Sequence, residues 1–368
     1  IESAKRTNVN SPAFPTIAYH QARILIEQNK PAEARKLIDD LLRSSVSLTI
    51  SARNEFMELR AKLVETLDEY LKYSQLKPFA FYNEGASSTL AALMEVAKTY
   101  YDPEYNKGSR EDYEREIEES YKDLLPWDSR VMFNYSTIES INKFFSLPLL
   151  LEAKNSRELP DYLKNRFLMA AFTRALILND HQTTQMLYPE VVALHPEFEK
   201  GIFSINAART AASRQEAILY FLLKNPILTP FVEAGLGRDD NEANTWDADD
   251  WWCQPYDSED ESDEYAPKRP AFLSKSQETA SKIERQKLID LGDGPNYLGR
   301  SVLAWQKRSP QDKRIPESLF IVYEANGWTK YGCGNNEEIR NAARDLLLKR
   351  YPKSEFANLI IKEQAETN

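Results

Sequence analysis

The chain has 368 residues, 42% of them hydrophobic and 11% aromatic, with a net charge of −10. Its 11 glycines disfavour sandwiches, barrels and glycine-rich nucleotide folds, and no apolar run approaches the ~20 residues needed to span a bilayer. Twelve acids and no Lys or Arg lie between Asp239 and Glu264, so the total of −10 becomes +2 outside that segment; a near-neutral body with one acidic stretch speaks against sequence-independent nucleic-acid binding, which needs a basic face.

Helical periodicity dominates from the start. From Pro15 to Leu42 two short helices are joined by Asn29-Lys30-Pro31, the first with Ile17, Ala18, Ala22, Leu25 and Ile26 on one side, the second with Ala34, Leu37, Ile38 and Leu41. Pro31 suits a first helical turn, where its missing N–H costs nothing. Ala18-Tyr19, Ala22 and Asn29-Lys-Pro-Ala-Glu-Ala-Arg-Lys-Leu37 resemble a tetratricopeptide unit. Such a unit cannot bury its apolar face alone, so neighbours must stack on it.

The spacing of Phe56, Leu59, Leu63, Leu67 and Tyr70 predicts one further helix. Helices are expected near 86–100, 110–124 and 136–154. Tyr162 to Leu178 is apolar on most sides and reads as a central, multiply packed helix. Helices near 181–194 and 199–224 precede Pro226 and Pro230, which end the regular pattern. After a long connection the pattern returns near 275–291, 296–308, 315–326 and 336–350, with a short piece beyond Tyr351-Pro352. The fold class is therefore all-α, a tetratricopeptide-like α-solenoid of stacked helix pairs. It divides into a helical-repeat region 1–234, an acidic Trp-rich loop 235–270, and a C-terminal helical region 271–368 packed on the same solenoid.

The loop holds the candidate binding residues Trp246, Trp251, Trp252 and Tyr256. Exposed, these aromatics would form a platform for a sugar, a cationic ligand or a basic segment. Buried, the tryptophans would pin the loop into a groove between helices and leave the acids in water; pinning is the favoured reading. Cys253 beside them and Cys333 are the only cysteines. Two readings stand: each is a small buried hydrophobe, or the pair closes one disulfide.

Tyr220-Phe-Leu-Leu-Lys-Asn-Pro-Ile-Leu-Thr-Pro-Phe-Val-Glu-Ala-Gly-Leu-Gly-Arg238 and Trp251-Trp-Cys253 resemble a pattern in an uncharacterised group of bacterial proteins, exported and tetratricopeptide-like. Arg314-Ile-Pro-Glu-Ser-Leu319, Tyr331-Gly-Cys333 and Leu347-Leu-Lys-Arg-Tyr-Pro-Lys-Ser354 extend the resemblance, which covers residues 200 to 357. This chain departs from the group at Leu348 or Lys349, where a His is usual, and at Phe356, where a Trp is usual. The resemblance implies export to the periplasm or cell surface and a Cys253–Cys333 disulfide; it implies no chemistry. The chain opens Ile1-Glu2-Ser3 without Met or signal sequence, and a mature or trimmed product is expected.

Catalytic motifs are missing from the sequence. The three histidines, His20, His181 and His195, stand on a repeat-type helix, at a helix start and at a helix end. No His-Glu-x-x-His, Gly-x-Ser-x-Gly or phosphate loop occurs. Asp247, Asp249 and Asp250, or Asp257, Glu259, Asp260 and Glu261, could offer oxygens to calcium, but neither run has the EF-hand's glycine and terminal Glu in place. No metal, cofactor or catalytic residue is expected. The reading is a non-enzymatic protein–protein scaffold or assembly subunit of the bacterial cell envelope. Its rival is a glycan- or peptide-binding module using the aromatic acidic loop.

Overall fold

The computed structural model describes residues 11–77, 101, 109–115, 131–233, 251–254, 267–327, 333 and 336–367. The fold is all-α, and among the described residues the only strands are β1 (Gln75–Leu76) and β2 (Met132–Phe133), paired antiparallel. The expected helix near 86–100 and most of that near 110–124 lie outside the described residues; 110–115 is helical. The chain forms two compact units, the first Ile1–Thr137 with Ala234–Leu236 and Pro270–Leu273, the second Ile138–Glu233, Gly237–Arg269 and Ser274–Asn368. The division thus falls inside the region 1–234, and the C-terminal helices share a unit with 138–233.

Unit 1 contains α1 (Phe14–Glu27), α2 (Pro31–Arg43), α3 (Ile50–Ala61) and α4 (Leu67–Tyr73). Pro31 sits in the first turn of α2, as the sequence predicts, and Pro15 does the same in α1. Ala18, Ala22 and Leu25 of α1 share a core with Ala34, Ile38 and Leu41 of α2 and with Phe56 and Leu59 of α3. The single helix expected through Phe56 and Tyr70 is two. Thr66 accepts the amide of Glu69 and restarts the chain as α4, while Glu69 itself accepts the amide of Glu65. Buried Arg60 ties these pieces together, donating to Asp39 on α2 at 2.9 Å and to Glu69 on α4 at 2.8 Å.

Unit 2 carries the rest. The helix expected over 136–154 is broken into α5 (Tyr135–Phe144), which begins in unit 1, and α6 (Leu147–Lys154), with Pro148 accommodated in the first turn of α6. α7 (Asp161–Ile177) is the central helix, buried from Ala170 through Ile177. α8 (His181–Leu194) packs on it with the predicted bounds. The helix expected over 199–224 is a hairpin, α9 (Glu199–Ala207) and α10 (Ala211–Lys224). Thr210 and Ser213 make a reciprocal capping box that starts α10 afresh. Gly201 lets the pair close, because a Cβ there would stand 2.3 Å from the Phe221 ring. The C-terminal set is α11 (Lys275–Leu291), α12 (Gly294–Arg308), α13 (Ile315–Ala325), α14 (Glu337–Arg350) and α15 (Glu355–Thr367). α12 packs on α10, α13 and α14, and α15 closes against α13 and α14.

The break between α5 and α6 is held from a distance. Ser281 on α11 donates to the Phe144 carbonyl, and Arg174 on α7 donates to the Phe145 carbonyl at 2.6 Å. Glu284 on α11 accepts the Leu147 amide with both oxygens at 2.9 Å. Glu284 also pairs with Arg174 at 2.9 Å, and Arg174 gives its remaining donors to the Pro230 carbonyl. Nearby, Asn142 clamps the Val232 backbone with its amide, donating at 3.0 Å and accepting at 2.8 Å.

Candidate functional site

The predicted site residues separate. Trp246 and Tyr256 lie outside the described residues, as do the carboxylates considered for calcium. Trp251 and Trp252 are 7% and 5% exposed, so their rings turn inward, the pinned arrangement of the two weighed from the sequence. Residues 251–254 form a strap across the starts and ends of three helices. Trp251 donates its indole N–H at 3.0 Å to the Leu222 carbonyl in the last turn of α10, which the Asn225 amide also reaches at 3.3 Å. The Trp252 carbonyl accepts the Gly294 amide at 2.8 Å, and its ring meets Tyr297 at 6.2 Å between centroids. Gln254 donates from its side chain to the Leu288 and Gly292 carbonyls at the end of α11, and from its backbone to Asp293 at 2.8 Å.

Glycine at 294 is required here. An added Cβ would lie 2.8 Å from Trp251 Cβ and 3.0 Å from the Trp252 ring. Cys253 is bonded to Cys333, with their Cα atoms 5.5 Å apart, and no free cysteine occurs among the described residues. Disulfides persist chiefly, though not exclusively, in proteins of oxidising compartments.

The histidines fall as follows. His20 is exposed on α1, edge-on to Tyr19. His195 ends α8, stacks on Phe198 at 4.8 Å and meets Glu197 through Nδ1 at 2.9 Å. His181 opens α8 behind its cap Asp180 and lines a groove that sequence reasoning missed. The groove has a volume of ≈ 510 Å³ and runs between α7, α8, α10 and the end of α12. Ala175 and Ile218 form its buried floor; Asn179, His181, Thr184, Arg214, Gln215 and Arg308 supply its polar groups. Burial, and next to it the charge of Arg214, push the His181 pKa down, so its ring is neutral at pH 7. The groove can therefore hold an extended polar ligand against two guanidiniums. Its residues are scattered over four helices, and none forms a motif in the sequence.

A second polar cluster serves the packing of α10 on α13. Tyr220 and Lys224 both donate to Glu317, Ser309 donates to buried Glu216 at 3.0 Å, and Arg314 lies 4.7 Å from the centre of the Trp305 ring. Burial and then the Glu317 carboxylate push the Tyr220 pKa up from 10.0 to about 12. Folded Tyr220 holds its proton more tightly than an unfolded tyrosine, so its contribution is complete below pH 10 and is lost as pH rises towards 12. Two pKa units correspond to nearly 3 kcal/mol at most, which solvent screening of this half-buried group reduces to roughly 1 kcal/mol. The difference in urea stability between wild type and Tyr220→Phe is expected to shrink across that alkaline window. A difference independent of pH would show that the phenol does not titrate against Glu317.

Among the described residues no group of His, Cys, Asp and Glu is placed to hold a metal ion, and no helix is long and apolar enough to cross a membrane. Compared with known proteins, the chain matches no family, no curated protein and no solved structure.

Proposed function

We propose that this chain is a protein–protein interaction scaffold of the bacterial cell envelope, non-enzymatic in itself and built as a tetratricopeptide-like α-solenoid that serves as a subunit of a larger assembly. The observation that carries the reading is a repeated turn. In unit 1, Asn29 joins α1 to α2 at φ 56°; in unit 2, Asn179 joins α7 to α8 at φ 59°. In each, the residue after the asparagine donates back to a carbonyl five positions earlier, Lys30 to Leu25 at 2.9 Å and Asp180 to Ala175 at 2.8 Å. Asparagine tolerates the left-handed conformation this closure needs, and a new helix begins two residues later in both. This closure is a common helix C-cap; its use in both units supports a chain of stacked helix pairs, whose usual product is a concave binding surface. The disulfide supports an envelope location.

Site-specific photo-crosslinking tests this. A photo-reactive amino acid is placed at Ala212 in the groove or at exposed Lys282 on α11, and the full chain is irradiated in bacterial envelope extract. Discrete protein adducts from position 212 that position 282 lacks are the expected result. Equal adducts from both positions, or none from either, would count against a scaffold that works through this groove.

A further inference from the structure

Building on the scaffold reading, we infer that the groove between α7, α8, α10 and α12 receives a carboxylate-rich, extended segment of a partner protein, its acids meeting Arg214 and Arg308 and its small side chains lying on Ala175, Ala211 and Ile218. Charge makes the case. No Asp or Glu lines the groove. Arg166, Arg174 and Arg314 of the same unit each hold a carboxylate. Arg308 is exposed and has no ion pair or hydrogen bond among the described residues, and Arg214 makes one long bond, to the Ala208 carbonyl at 3.4 Å. Asp180, the cap residue beside His181, spends its carboxylate on the amide and hydroxyl of Thr183.

The starts of α8 and α10 both reach the groove and bring positive dipole ends to it. One first-turn amide of each is engaged, Thr183 by Asp180 and Ser213 by Thr210. The groove also holds two guanidiniums on different helices above a floor of Ala175 and Ile218, and that arrangement suits several carboxylates spaced along a chain better than one small anion. A guanidinium also takes a carboxylate with two parallel hydrogen bonds, which a neutral amide cannot reproduce with equal strength. The volume, ≈ 510 Å³, lies within the usual range for binding clefts.

The probe is a short fluorescein-labelled peptide alternating glutamate and valine, titrated with the full oxidised chain and read by fluorescence anisotropy. Saturable binding is expected, with none for the glutamine version. Arg308→Glu breaks no side-chain hydrogen bond or ion pair among the described residues and should weaken binding about tenfold, and adding Arg214→Glu should weaken it further by a similar factor. Circular dichroism and a thermal melt confirm that each variant is folded; Arg308→Glu alone suffices if Arg214→Glu is not. Equal affinity for wild type and Arg308→Glu overturns the inference. So does displacement by inorganic phosphate beyond that of chloride at matched ionic strength, which would assign the groove to small anions. The titration is repeated on a chain whose Asp257, Glu259, Asp260, Glu261, Asp263 and Glu264 are amides. Binding gained only by that chain would assign the groove to the protein's own acidic segment and also overturn it. Crosslinked partners that survive Arg308→Glu would leave the scaffold reading standing while this inference falls. Peptide binding without crosslinked partners would do the reverse.

Discussion

Replacing Arg174 with Met is expected to cost roughly 3–5 kcal/mol of folding stability, among the largest effects of any single substitution in unit 2. The guanidinium is 1% exposed and serves three partners at once: Glu284, the Phe145 carbonyl and the Pro230 carbonyl. Burial draws its pKa down and Glu284 opposes this, but an arginine starts so high that it stays charged. Removing it strands a carboxylate that is 15% exposed and leaves two backbone carbonyls without a donor. Glu284→Leu should also destabilise, because the Leu147 amide loses the acceptor that opens α6. The pair is expected to be strongly non-additive. Arg174→Met/Glu284→Leu removes both charges together, and a neutral pair of similar volume avoids the stranded ion. Its stability should lie near that of Arg174→Met alone, a coupling of about 2 kcal/mol or more. Urea titration of the four chains measures this, and a double variant equal to the sum of the singles would show that the two side chains act independently.

The same contacts explain what the sequence could and could not reveal. The hairpin at Asn29 and the bounds of α8 are legible because periodicity, a first-turn Pro31 and an Asp180 cap all agree locally. Two of the missed breaks had a local signal. Thr66-Leu67-Asp68-Glu69 has the form of a capping box, and Thr210 with Ser213 makes one. Continuous apolar periodicity on either side hid both. The third break, between Phe144 and Leu147, is marked differently, by Ser146 and a first-turn Pro148, but the groups that hold it lie elsewhere in the chain. Its orphan groups find partners on Arg174, Ser281 and Glu284, the last two 137 residues further along the chain. The mixed tryptophan and acid stretch is legible in its logic: Trp251 and Trp252 turn inward on α10 and α12. The groove is not, since His181, Arg214 and Arg308 acquire meaning only when four helices bring them together.

Replacing Cys253 and Cys333 by Ser is expected to lower stability by about 4 kcal/mol while leaving the native helical content unchanged. The two cysteines are 80 positions apart, and a loop of that length loses much of its freedom in the unfolded chain when it is closed. The native state is ready for the bond, because the strap is already fixed on both sides of Cys253: Trp251 and Trp252 are buried, and Gln254 caps the end of α11. The two kinds of anchor therefore act on different states, the bond on the unfolded chain and the indoles on the folded one. Serine variants should consequently unfold with a steeper urea dependence, since a chain without the cross-link exposes more surface. Trp251→Ala in the oxidised protein should cost roughly 3–5 kcal/mol without that steepening. Trp251→Phe should cost less, about 1–3 kcal/mol, since a ring still fills the site while the Leu222 carbonyl keeps only the longer bond from the Asn225 amide. Cys253 is exposed, so a mild reductant added to the folded protein should reproduce the serine result without refolding. Identical urea midpoints for the oxidised and serine chains would mean that the strap is held by its indoles alone, and that loop closure in the unfolded chain contributes nothing measurable.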